Sequence, residues 1–207
     1  MDAVIHGRVA DIKIAEGSGG PFRQGSSGDQ LVNMFGRYAE LAKRGRLFCG
    51  ITAVGGVAPG TAIGTTAAHA LANPLGSNVD LVVLRQGVEY VSGTLGIGVV
   101  DWVAHLANLI LPTGTAIPIV PGRIDGGAPQ GRLLTTATVL TGGTVFRQFC
   151  NLPPMLASSV LAPWALWDEV DGAIRVPPGT SVSLQGTAAA GTTPLVRFTT
   201  LWAEEDR

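Results

Sequence analysis

Apolar and polar residues alternate singly in the last thirty positions of the chain. Ile174-Arg175-Val176 and Ser181-Val182-Ser183-Leu184-Gln185 both follow this pattern, with Pro177-Pro178-Gly179-Thr180 turning the chain between them. A loop of small residues, 186–193, leads through Pro194 into a final run. There Val196, Phe198 and Trp202 share one side of a pleat, and Arg197 and Thr199 share the other. Successive side chains of a strand point to opposite faces, so the pattern predicts strands with one face buried. The last strand is expected to lie in the core, with the rest of the domain formed around it.

Further upstream the same reading gives short strands separated by turn chemistry. Strands are expected at 47–54, 61–66, 80–91, 94–105, 116–120, 132–141, 144–149 and 161–170. Pro59-Gly60, Pro121-Gly122, Gly126-Gly127 and Gly142-Gly143 supply turns. Residues 67–78 read as a loop, on the turn signals Asn73-Pro74 and Gly76-Ser77-Asn78. Residues 80–91 and 94–105 read as a hairpin across Ser92-Gly93. Strands at this spacing indicate an all-β sandwich or barrel rather than βαβ units. The recurring Pro-Gly pairs come at unequal intervals, so they are turns and not a solenoid period.

The N-terminal part reads differently. Leu31, Met34, Phe35, Tyr38, Leu41 and Ala42 have helical spacing, predicting a short helix over 31–44 with Gly45 as its cap. Gly36 costs that helix about 1 kcal/mol relative to Ala, and an extended segment laid along the sandwich competes with it. Val9–Ile14 alternates like an edge strand, and 16–29 is a glycine-rich connector. The expected organisation is an arm over 1–28, either reaching a neighbouring subunit or left as a tail, and one β domain over 29–207.

Composition changes the picture in one respect. Charged residues make up 14% of the 207, against about 25% in ordinary soluble domains, and mean hydropathy is positive. No apolar run reaches the roughly 18 residues of a membrane span; 99–111 is broken by Asp101, His105 and Asn108. Such a chain is expected to hide surface against other subunits, or else to carry a large core under a Thr/Ser/Gly surface. The net charge of −1 comes without a basic block, which argues against nucleic-acid binding. Arg37, Lys43, Arg44 and Arg46 cluster around Glu40, which fits a local ion pair or subunit contact. The start, Met1 to His6, lacks the pattern of a secretory signal. Synthesis in the cytoplasm is therefore expected, with Cys49 and Cys150 reduced and unpaired.

Candidate chemistry is sparse. Gly93-Thr94-Leu95-Gly96-Ile97-Gly98 has Asp101 where a dinucleotide fingerprint needs its third glycine, so close backbone packing or a bulge is expected there. His6, His69 and His105 show no ligand spacing. Trp167-Asp168-Glu169-Val170-Asp171-Gly172 lacks the oxygen spacing of a calcium loop and reads as a solvated strand end. Gly25-Ser26-Ser27-Gly28-Asp29 is not a nucleophile elbow. Trp102, Trp164, Trp167 and Trp202 are expected in the core or at a subunit interface; a sugar-stacking platform at Trp164 and Trp167 is the alternative. No catalytic, cofactor-binding or metal-binding residue is assigned, and no cofactor.

Several stretches carry a resemblance. They are residues 36–48 (Gly36-Arg37-Tyr38-Ala39-Glu40-Leu41-Ala42-Lys43-Arg44-Gly45-Arg46-Leu47-Phe48), then Ile63-Gly64-Thr65-Thr66, Asn73-Pro74-Leu75-Gly76-Ser77, Val91-Ser92-Gly93-Thr94-Leu95-Gly96, Pro178-Gly179-Thr180 and Leu201-Trp202-Ala203-Glu204-Glu205. This succession resembles structural proteins of tailed-bacteriophage virions. The resemblance implies a jelly-roll capsid decoration (cement) protein, commonly trimeric, whose partners are its own copies and the major capsid protein. A receptor- or glycan-binding head fibre or tail module is the alternative in the same particle. A cupin-like or hydrolytic enzyme, which needs the histidines or acids to converge, is the alternative outside it.

Overall fold

The computed structural model describes residues 38–106, 112–138, 143–154, 164–188 and 191–207. The expected arm over 1–28 and the first part of the expected helix, 31–37, lie outside them. Residues Glu40–Arg207 form one compact unit.

A single helical turn, α1 (Ala39–Lys43), opens the unit. Its end is capped as the sequence predicts: Gly45 takes φ +70°, its N–H donates to Ala42 O, and Arg46 N–H donates to Leu41 O. These two bonds are the Schellman pair that satisfies the last helical carbonyls. Among the described residues eleven strands follow: β1 (Leu47–Ile51), β2 (Ala67–Ala72), β3 (Val79–Ser92), β4 (Gly98–His105), β5 (Thr113–Ala116), β6 (Ile119–Pro121), β7 (Arg132–Thr138), β8 (Thr144–Leu152), β9 (Ala165–Val176), β10 (Ser181–Ala188) and β11 (Leu195–Asp206).

They form two antiparallel sheets packed as a sandwich, ordered β6-β1-β11-β3-β9 and β5-β7-β2-β10-β4-β8. Setting β5–β7 aside, the remaining eight pair first with last: β1 with β11, β2 with β10, β3 with β9, β4 with β8. That rolled pairing is jelly-roll connectivity. The insertion β5–β7 widens both sheets on the same side, β6 beyond β1 and β7 with β5 beyond β2.

The core lies between the sheets, and β11 runs through the middle of one of them. Its burial alternates from Leu195 to Trp202, with Val196, Phe198 and Trp202 fully inside. Trp202 stacks on Phe48 at 5.9 Å between centroids. Burying roughly 200 Å² of such a ring contributes about 5 kcal/mol at about 25 cal/mol per Å². The longest ladder joins β11 to β3, from Leu195↔Ser92 to Asp206↔Val79.

Four expectations are corrected. Residues 61–66 form bends, and the strand begins at Ala67, in the stretch expected to be a loop. Ala67-Ala68-His69-Ala70-Leu71-Ala72 has little β-propensity, but it runs between β7 and β10 with both faces largely buried, where small side chains fit. The expected hairpin of β3 and β4 does not form, because the two strands belong to different sheets. Gly93 carries the crossing at φ +88°, and a Cβ there would lie 2.0 Å from Thr193 O, so its role is close backbone packing. The expected strand 116–120 is split into β5 and β6 at Ile117-Pro118, where the chain changes sheets and proline has no N–H to offer a ladder. Finally, the separate strands expected up to 170 and from 174 are one strand, β9. It is kinked where Asp171 and Gly172 take φ +51° and +83°.

Candidate interaction surface

The two described histidines sit on opposite faces of the β5–β8 sheet. His69 faces the core: its register partner is Leu184, and its ring stacks on Phe198 at 5.4 Å. Its Nε2 lies 2.6 Å from Thr200 Oγ1, which donates to Gln86 Oε1 at 2.6 Å. Thr200 has one hydroxyl hydrogen, and Gln86 Oε1 can only accept it. His69 therefore carries its proton on Nε2. Its Nδ1 is buried without a partner, and burial drives the imidazole pKa down to about 3. This bridge of one residue from each of three strands, β2, β11 and β3, ties the sheets together across the core.

His105 faces the other way. Its Nε2 is 2.8 Å from Ser183 Oγ on the neighbouring strand β10. This Ser–His pair was not legible in the sequence, because it depends on the register Ser181↔His105 between strands far apart in the chain. Both residues are buried, at 1% and 0% exposure. Ser183 Oγ also accepts from Gln185 Nε2 at 3.0 Å, and Gln185 is itself held by Gly64 N–H and Gly64 O. A nucleophile needs an open approach to a substrate carbonyl. Ser183 has none, so the cluster is a polar clamp joining β4, β10 and the 59–64 segment. His6 lies outside the described residues. Among the described residues, no group of three His, Cys, Asp or Glu side chains is placed to hold a metal ion.

The acids after Trp167 diverge. Asp168 Oδ1 pairs with Arg147 at 2.6 Å, while Trp102 Nε1 donates to Asp168 Oδ2; Glu169 pairs with Arg85 on the opposite face of β9. Of the basic cluster, Arg44 pairs with Glu40 at 2.9 Å, the local ion pair expected, and Arg37 lies outside the described residues. Cys49 and Cys150 are both free thiols, half-buried. Burial raises the Cys49 pKa. Burial, with the charges of Asp101 and Asp168, pushes Cys150 up to about 12.

What the fold does assemble is a face. On the outer side of the β6-β1-β11-β3-β9 sheet, the register sets Val120, Cys49, Leu201, Arg85 and Glu169 in one row. Ile51, Thr199, Gly87 and Trp167 make the next row. At about 4.8 Å per strand the face is roughly 24 Å wide. Ile51, Val120 and Trp167 are 40–51% exposed. The charges on it cancel in pairs, Arg85 with Glu169 and Arg197 with Glu89. Trp102 and Trp202 fill the core, Trp164 is half-buried against Tyr90, and Trp167 is exposed. The Trp167 ring is held against Gly87, with the Arg85 guanidinium 4.4 Å from its centroid. Sequence pattern indicated apolar residues on these strands, but not which of them would be left uncovered. The chain matches no protein-family model, no curated protein and no solved structure.

Proposed function

We propose that this protein is a non-enzymatic structural component of a bacteriophage virion, a homotrimeric decoration (cement) protein that braces contacts between major capsid subunits. The observation that carries the reading is the outer face of the β6-β1-β11-β3-β9 sheet. It combines exposed Ile51, Val120 and Trp167 with charges already neutralised among themselves. A surface of that kind is stabilised by covering it with another protein surface, and closed symmetry covers it identically in every copy. The jelly-roll frame and the phage-like sequence stretches agree with the reading. The buried Ser183–His105 pair, with no approach for a substrate, weighs against a hydrolase. A glycan-binding module fits less well, because a sugar stacks on an open aromatic face and Arg85 lies over the Trp167 ring.

Light scattering on the purified chain, together with electron microscopy of the particle that contains it, tests the proposal. A trimer in solution and density on the outside of the capsid are expected. Ile51→Glu on this face should lower the oligomer mass or the capsid occupancy without lowering the melting temperature. A monomer at micromolar concentration, or density for the chain at the tail alone, would overturn the assignment.

A further inference from the structure

A groove of about 620 Å³ lies where the insertion closes one side of the sandwich, between 112–119 and 129–134. Its walls are largely apolar, from Ile117, Ile119, Leu133, Leu134 and Pro129, and its cation is Arg132. Arg132 stands apart from the other arginines. Arg44, Arg46, Arg85, Arg123, Arg147, Arg175, Arg197 and Arg207 each pair with a carboxylate. Among the described residues, Arg132 alone has no such partner. Glu204, whose carboxylate lies against the adjoining residues, is already engaged by the N–H groups of Gln130 and Gly131.

Arg132 is exposed on β7, so its guanidinium is open to an anion from solution beside the apolar hollow. A guanidinium is weakly hydrated and presents a planar fork that matches a carboxylate. The volume falls in the range of small-molecule sites, about 300–1,000 Å³. Both walls come from two neighbouring segments, which makes a compact hollow rather than a long channel for an extended chain. We propose that the groove binds a small amphipathic carboxylate, its apolar body against Ile117, Ile119 and Leu134 and its head on Arg132. The inference does not depend on where the protein sits in a particle.

Isothermal titration of the full chain with octanoate tests it, with octanol and acetate as comparators that lack the charge or the apolar body. Octanoate is expected to saturate one site per chain and to bind at least tenfold more tightly than either comparator. Arg132→Gln should reduce octanoate affinity about tenfold or more, a loss of about 1.4 kcal/mol or greater. Arg132→Lys, which keeps the charge but not the fork, should fall between, and it serves if the Gln variant melts early. Ala116→Trp, on β5 at the groove wall, should block binding while leaving Arg132 in place. Undetectable octanoate binding, octanol binding as tightly as octanoate, or an Arg132→Gln variant with unchanged affinity would each overturn the proposal.

Discussion

The ring of Trp167 rests against Gly87, its register partner across β9 and β3, and a Cβ at Gly87 would come within 2.6 Å of it. The glycine leaves the space in which the ring lies. Gly87→Ala should therefore push the exposed ring off the sheet and break its contact with Arg85, with little loss of stability because the displaced ring can turn into solvent. Tryptophan fluorescence should shift toward that of a solvated indole. An unchanged spectrum would show that the ring is not seated on this glycine.

Trp202 makes the opposite kind of prediction. Fully buried and stacked on Phe48, it leaves a large cavity when truncated, and aromatic-to-Ala changes in cores cost about 3–5 kcal/mol. Urea unfolding of Trp202→Ala should show a midpoint far below wild type, or no soluble protein. Trp167→Ala, by contrast, should lose little stability.

The contrast between these two tryptophans marks how far the sequence can be read. Trp202 continues the alternation that begins Val196-Arg197-Phe198-Thr199, and that alternation placed it inside. The all-β class, the Gly45 cap and the course of β11 were legible for the same reason: each is encoded within a few residues. Strand β2 was not, because an alanine-rich run buried on both faces has neither alternation nor propensity to mark it. Nor was the crossing at Gly93, since the same turn residues serve a hairpin and a change of sheet. The polar clamp at His105 and Ser183 depends on register across strands β4 and β10. The isolation of Arg132 depends on where every other arginine found its carboxylate. Such facts belong to the tertiary structure and leave no local signature.

The His69 imidazole links stability to pH. Its pKa is near the ordinary 6.5 in the unfolded chain and is lowered to about 3 by burial in the folded one. The unfolded state therefore binds the proton first, and stability present above pH 6.5 is lost as pH falls toward 3. The slope from one group is about 1.4 kcal/mol per pH unit. His69→Leu removes this titration, although it also removes the hydrogen bond that Thr200 Oγ1 accepts, leaving the one it donates to Gln86. Urea midpoints at pH 7, 5.5 and 4.5 should fall more steeply for wild type than for the variant. Parallel slopes would mean that the imidazole is not buried in its neutral form.

Glu204 anchors the wall of the Arg132 groove, which gives a prediction joining core and surface. Its side chain, only 6% of the residue being exposed, accepts from Gln130 N–H at 2.9 and 3.1 Å and from Gly131 N–H at 2.9 Å. Its own backbone N–H donates to Arg46 O, so the residue holds the 127–131 segment to the start of β1. A Cβ on Gly131 would meet Leu81 at 2.8 Å and Glu204 Oε1 at 3.4 Å, so the segment is packed tightly where the carboxylate grips it. Glu204→Leu removes the oxygen that accepts from both N–H groups. Leaving a buried N–H unmet costs about 1–3 kcal/mol, and the melting temperature should drop accordingly. Hydrogen exchange should locate the loss: the amides of Gln130 and Gly131 should exchange faster, while those of β3 and β10 stay protected. A uniform acceleration across the sheets would show instead that Glu204 supports the whole sandwich and not this one wall.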